Sequence, residues 1–142
     1  MSRKPVLYAV IFAFVLIASA AYAQYAPTPI PTAAPNPINR TVLQTVNFPG
    51  EQYQTIETLT TIAAGATAPN HTHPGVESSY VLDGEADLFV TGQQPRHVKA
   101  GDSWIIPEGV VHSARVTSSK PLKIVTTYVV DKSKPLASAA PQ

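Results

Sequence analysis

Short runs of β-branched and aromatic residues, cut at close intervals by glycine, proline and Asp-Gly, constrain this chain more than any other feature of its sequence. Thr41–Val46, Gln52–Ile62, Ser79–Leu82, Ala86–Val90, His97–Lys99, Ser103–Ile106, Val110–Val116 and Leu122–Val130 each read as extended. Asp83-Gly84 is a hairpin-type turn signal, and Thr91-Gly92 marks the next turn. Outside the N-terminal segment no window sustains a 3.6-residue apolar period, so no amphipathic helix is expected. About eight short strands must then bury their apolar faces against one another, which predicts an all-β sandwich or barrel in a single domain.

The N-terminal part stands apart from that domain. Ser2-Arg3-Lys4 is basic, Val6–Ala18 is an unbroken apolar run, and Ala21-Tyr22-Ala23 is a small-x-small cleavage pattern. That order predicts a secretory signal peptide over 1–23, a mature chain from Gln24, and export to the periplasm or the medium. The alternative is an uncleaved anchor, because the apolar stretch is just long enough to span a bilayer, and only then is a membrane a partner. Residues 24–39 follow as a proline-rich lead, with prolines at 27, 29, 31, 35 and 37, and cannot form a helix. The domain is expected over 40–131, and the Ala/Ser/Pro-rich tail, 132–142, is expected to be frayed and disordered.

Composition removes several function classes. There is no cysteine, hence no disulfide, no thiol nucleophile and no thiolate-held zinc. The net charge is +1, and no basic patch or run offers a surface to nucleic acid. Arg3-Lys4 is not a twin-arginine pair, which favours export of the unfolded chain.

Four residues carry the chemistry: His71, His73, Glu77 and His112. On an extended segment His71 and His73 present both imidazoles to one face, since strand side chains alternate. Three imidazoles and one carboxylate form a metal-ligand set of nitrogen and oxygen donors. Around them stands fixed punctuation: Gly65, His71, His73, Glu77 and Gly84 in one stretch, and Gly101, Pro107, Gly109 and His112 in another. The glycines lie where turns need backbone freedom, and Pro74-Gly75 is placed to turn the chain after the histidine pair so that Glu77 returns toward the same ion.

That double punctuation resembles the cupin family. The first stretch matches the family's glycine, His-x-His, glutamate and glycine motif throughout. The second matches its glycine, proline, glycine and histidine, with Val116 where the family has asparagine. The resemblance covers Gly65 to Val116. It implies a double-stranded β-helix, that is a jelly-roll barrel, holding one divalent ion on His71, His73, Glu77 and His112. Manganese, iron, nickel, cobalt, copper and zinc all suit such ligands, and a chain exported unfolded must take its ion outside the cytoplasm. The resemblance also implies a homodimer packed sheet to sheet, with Thr41–Val46 as the candidate exchanged strand.

Three readings of function follow. The first is an enzyme acting on a small oxygen-rich molecule, either dioxygenase-like or a Lewis-acid isomerase or lyase, with Glu77 both ligating the ion and shuttling a proton. The second is a non-catalytic module that binds a metal or a small ligand. The third is a structural ion stapling a small disulfide-free core. His97 and Glu108 are expected at the surface. Tyr53, Tyr80 and Trp104 are the aromatic residues expected to pack, although strand parity sets Tyr80 on the face opposite Glu77.

Overall fold

The computed structural model describes residues 36–48, 50 and 52–141. The expected signal peptide and residues 24–35 of the proline-rich lead lie outside the described residues. The strands are β1 (Ile38–Asn47), β2 (Tyr53–Ile62), β3 (Thr67–Thr72), β4 (Gly75–Asp83), β5 (Glu85–Val90), β6 (Arg96–Lys99), β7 (Ser103–Ile106), β8 (His112–Val116), β9 (Leu122–Asp131) and β10 (Ser138–Ala139). They build two five-stranded sheets, ordered β1-β2-β9-β4-β7 and β10-β3-β8-β5-β6. Every pairing is antiparallel. This is the all-β jelly roll expected from the punctuated runs.

Alternation places the core. Along β4 the odd-numbered residues Glu77, Ser79 and Val81 are buried, while Val76, Ser78, Tyr80 and Leu82 face out. β9 does the same with Leu122, Ile124, Thr126, Tyr128 and Val130. The inner face of this sheet is therefore divided. Val81, Ile62, Ile106, Leu122 and Ile124 join Leu88, Val98 and Val116 of the opposite sheet in the main apolar cluster. Toward the other end the inward positions turn polar, with Thr58, Thr126 and Ser79 aligned in a row across β2, β9 and β4. Truncating a fully buried member of the apolar end, such as Leu122→Ala, costs about 2–5 kcal/mol.

The structure departs from the sequence reading in four places. β3 was not among the expected runs, because it carries Pro69 and a register shift between Ala68 and His71 in place of a β-branched alternation. β4 begins at Gly75, earlier than the apolar run suggests, because Glu77 is an inward residue of a strand whose other inward positions are small or apolar. Tyr53 and Tyr80 are exposed, and the deeply buried tyrosine is Tyr128. The tail, expected as disordered, is tied down: β10 pairs with β3, and Asp131 caps a turn through the Ser133 amide and hydroxyl.

The segment His73-Pro74-Gly75 does not reverse the chain within one sheet. It carries the chain from β3 in one sheet to β4 in the other. A side chain at Gly75 would place its Cβ 2.1 Å from the Val129 carbonyl oxygen and 2.7 Å from Val130 Cα. Only glycine lets the crossing lie this close to β9. Gly75→Ala is expected to destabilise the fold by about 2 kcal/mol or more, because backbone must move to relieve the contact. An unchanged urea-denaturation midpoint would show that the crossing is loosely held.

Candidate metal centre

The crossing brings the four expected residues together from both sheets. His71 lies on β3 and His112 opens β8, and the two are register partners. His73 sits in the crossing itself, and Glu77 reaches over from β4, where its register partner on β9 is Tyr128. One ligand atom from each of His71, His73, Glu77 and His112 falls within 4.8 Å of the others. His73, Glu77 and His112 are buried and His71 is half-buried. The His71 and His73 rings stand 4.9 Å apart, as expected for a His-x-His pair on one face.

Each imidazole is held by its Nδ1. His71 Nδ1 lies 2.8 Å from the Pro69 carbonyl, His73 Nδ1 2.5 Å from the Leu136 carbonyl, and His112 Nδ1 3.0 Å from the Val110 carbonyl. A carbonyl can only accept, so Nδ1 carries the proton in all three rings. In the neutral imidazole Nε2 is then a bare lone pair, which is the form a metal binds. The Nε2 atoms of His73 and His112 are buried and have no hydrogen-bond partner. They approach Glu77 Oε2 to 2.9 and 3.3 Å, but without hydrogen-bond alignment. Lone pairs facing a carboxylate oxygen at that range repel unless a cation lies among them. The donor set thus fits a divalent ion.

Glu77 is prepared for the same task. Its Oε1 accepts hydrogen bonds from Ser79 Oγ and Trp104 Nε1, both at 2.8 Å, which leaves Oε2 to face the imidazoles. Because Ser79 spends its only proton on Glu77, Thr126 must donate in the 2.8 Å contact between the two hydroxyls. Burial works against ionisation of Glu77; a proton on the His112 or His73 ring, together with the Ser79 hydroxyl, outweighs it and holds the carboxyl well below the usual carboxylate range. Burial lowers the pKa of His71, helped by its histidine neighbours. At His112 burial is outweighed by Glu77 and the Val110 carbonyl, and the pKa is raised.

A cavity of about 380 Å³ opens beside the cluster. His71, Glu77 and His112 line it, together with Trp104, Tyr128, Leu88 and Ile124, and the tail residues Ala137 to Ala140 form part of its wall. Burial, and then the charge of Glu77, push the Tyr128 hydroxyl up to about 12, so it remains a proton donor at neutral pH. His97 and Glu108 lie at the surface as expected; His97 stands between Glu85 and Asp87.

Sequence reasoning missed Ser79, Tyr128 and the Leu136 carbonyl, and took Trp104 only for its packing. Ser79 was within reach of strand parity, since it lies two residues from Glu77 on the same face. Leu136 makes the tail a clamp on a candidate metal ligand. Deleting 135–142 is expected to weaken metal binding by about 10–100-fold, by freeing the His73 ring. Competition with a chromogenic chelator measures this, with circular dichroism to check the fold. An unchanged affinity would reduce the tail to a mere cover.

A family model for the cupin domain matches residues 58–128. Dimethylsulfoniopropionate lyase DddQ of Ruegeria pomeroyi is 38% identical over 52 residues, which are 37% of this chain and 26% of that enzyme. The match thus spans about a quarter of the length of that curated relative. Among solved structures, the chain resembles DddQ with a TM-score of 0.63 at 22% identity, covering 88% of this chain and 64% of that one. A double-stranded β-helix protein of Klebsiella pneumoniae gives 0.62 at 21% identity, with 78% and 90% covered. An oxalate oxidase in complex with glycolate gives 0.58 at 21% identity, with 75% and 57% covered. With half of its length matched by the family model, this chain belongs to the cupin family.

Proposed function

We propose that the chain is an exported mononuclear-metal enzyme acting on a small oxygen-rich molecule, with His71, His73, Glu77 and His112 as its metal ligands. One observation carries the reading: the free Nε2 lone pairs and Glu77 Oε2 converge beside a cavity large enough for a small ligand. A structural ion has a closed shell, whereas this cluster adjoins open space. A divalent ion here would polarise a carbonyl or stabilise an enolate, or bind dioxygen.

The chain's own groups fit Lewis-acid lyase or isomerase chemistry. Tyr128 keeps its proton and can donate it to a ligand oxygen inside the cavity. Glu77 is fixed at Oε1 by Ser79 and Trp104, so any proton it moves must pass through Oε2. The Ruegeria pomeroyi relative is a lyase, which favours this branch. The oxalate oxidase keeps an oxidative branch in view. A non-catalytic binder is the second reading. It is favoured by a cavity wall that, among the described residues, offers no carboxylate besides Glu77.

The test is the metal content of the protein purified from its native export compartment, with His71→Ala/His112→Ala as control. About one Mn, Fe, Ni, Co, Cu or Zn per chain, lost in the control, is expected, and intact mass on the same sample is expected to begin at Gln24. An absence of metal from both samples would remove the enzyme and the binder together. Turnover of no enediol, hydroxy acid or β-elimination substrate by the loaded protein would leave the binder.

A homodimer is part of the same proposal. Val76, Tyr80, Leu82 and Ile105 project from the outer face of the sheet β1-β2-β9-β4-β7, and Val42, Leu43 and Val46 are exposed on its edge strand. Such a face suits burial against a second copy. Thr41–Val46, the candidate for exchange, pairs here with β2 of its own chain. Sedimentation at micromolar concentration is expected to give a dimer, and Tyr80→Glu/Ile105→Glu a monomer. A wild-type monomer would remove the dimer.

A further inference from the structure

One charge in the cavity has no role in holding an ion. Apart from the imidazoles, Arg40 and Glu77 are the charged side chains lining it. Arg40 comes from β1, at the edge of the sheet, and is itself exposed. Its guanidinium carbon lies 5.8 Å from the centre of the Tyr128 ring, whose other neighbour, the His73 ring, is 4.8 Å away. Among the described residues Arg40 forms no ion pair with a carboxylate. Its planar fork of donors is therefore free toward the cavity mouth, and stacking on Tyr128 orients it.

We propose that Arg40 is an anion subsite and that the molecule taken by this cavity is a small organic acid, its carboxylate gripped by Arg40 while an oxygen at its far end reaches the His71–His73–Glu77–His112 cluster. The inference rests on the metal-site reading above and adds the substrate class to it. Two features beyond the placement of Arg40 support it. A divalent ion exceeds the charge of Glu77 by about one unit, and Arg40 adds another, so the cavity attracts an anion. The body of the cavity, with Ile62, Leu88, Ile124 and Ala114, offers little to a polar middle, so the ligand's polar groups belong at its ends. Arg40 is a specificity residue here, not a metal ligand.

The experiment is calorimetric titration of the full chain with succinate and with succinamate, in which one carboxylate is replaced by a neutral amide. Wild type, Arg40→Gln and Arg40→Lys are each titrated with and without added Mn(II), and metal content and melting temperature are recorded for every sample. Succinate is expected to bind wild type about tenfold or more tighter than succinamate, the gain from a charge-assisted bidentate contact. Arg40→Gln is expected to abolish that ratio and Arg40→Lys to keep part of it, with metal content and melting temperature unchanged. An affinity for succinate that is unchanged in Arg40→Gln, or a ratio that survives there, would overturn the anion subsite. If these appear in protein that still binds Mn(II), the metal-site reading stands without it. Protein that takes up no metal sinks that reading, and the ratio measured without metal then decides Arg40.

Discussion

The close approach of Gly75 to β9 is the constraint on which the rest depends. The chain leaves one sheet at Thr72 and enters the other at Gly75, and it can do so within three residues only because no side chain separates the crossing from Val129 and Val130. Backbone bonds fasten both sides of the crossing, from Gly109 N to the His73 carbonyl at 3.1 Å and from Asp131 N to the Pro74 carbonyl at 2.9 Å. A wider crossing would carry Glu77 away from His71 and His112, which stand on the opposite sheet. The ligand cluster is thus a consequence of how tightly the two sheets are stitched at one corner.

The same corner explains the division of the interior. A jelly roll of this size has one space between its sheets, and here its two ends have different chemistry. Apolar side chains fill one end. At the other, threonine and serine replace them at the inward positions of the same strands, and the Thr126–Ser79–Glu77 chain of hydroxyls runs directly toward the ligands. The exchange costs core burial at those positions, since a threonine gives up part of the apolar area that a valine would bury. What it supplies is orientation. The Oε1 atom of Glu77 is saturated, so the carboxylate presents one defined oxygen to the space between the imidazoles.

Much of this was legible in the sequence, and the illegible part has a common cause. Seven of the eight expected runs correspond to observed strands with nearly the expected bounds, and Ser79–Leu82 is the second half of β4. Alternation and turn residues are local signals, which is why they could be read. The four candidate ligands were read from spacing and from the family resemblance, and their side chains come together in the structure. β3 escaped because a proline and a bulge erase its alternation, and β10 because two residues carry no period. Tyr128 and Arg40 escaped for a different reason. Tyr128 stands opposite Glu77 only through the register of β4 on β9, and Arg40 reaches the cavity only through the pairing of β1 with β2. Leu136 acts through its backbone carbonyl, which no side-chain pattern reports.

Charge balance ties the site to the stability of the fold. Glu77 is buried and ionised, and among the described residues the groups paired with it are His73 and His112, not lysine or arginine. A buried carboxylate beside neutral imidazoles is unfavourable, and it is relieved only by a proton on one of the rings or by a metal ion. A proton supplies one charge and satisfies one ring. A divalent ion would supply two and could satisfy every Nε2 at once, so wherever the histidines are neutral an ion would relieve the carboxylate more fully than a proton. Binding then stabilises the folded chain in proportion to ion concentration over its dissociation constant. The main apolar cluster, with Val81, Leu122 and Ile106 fully enclosed, meets the site through Trp104, whose indole donates to Glu77, and through Ile62, Leu88 and Ile124, which line the cavity. The same core that holds the sheets together therefore also fixes the Glu77 carboxylate, because the Trp104 indole is at once a member of that core and a donor to Oε1.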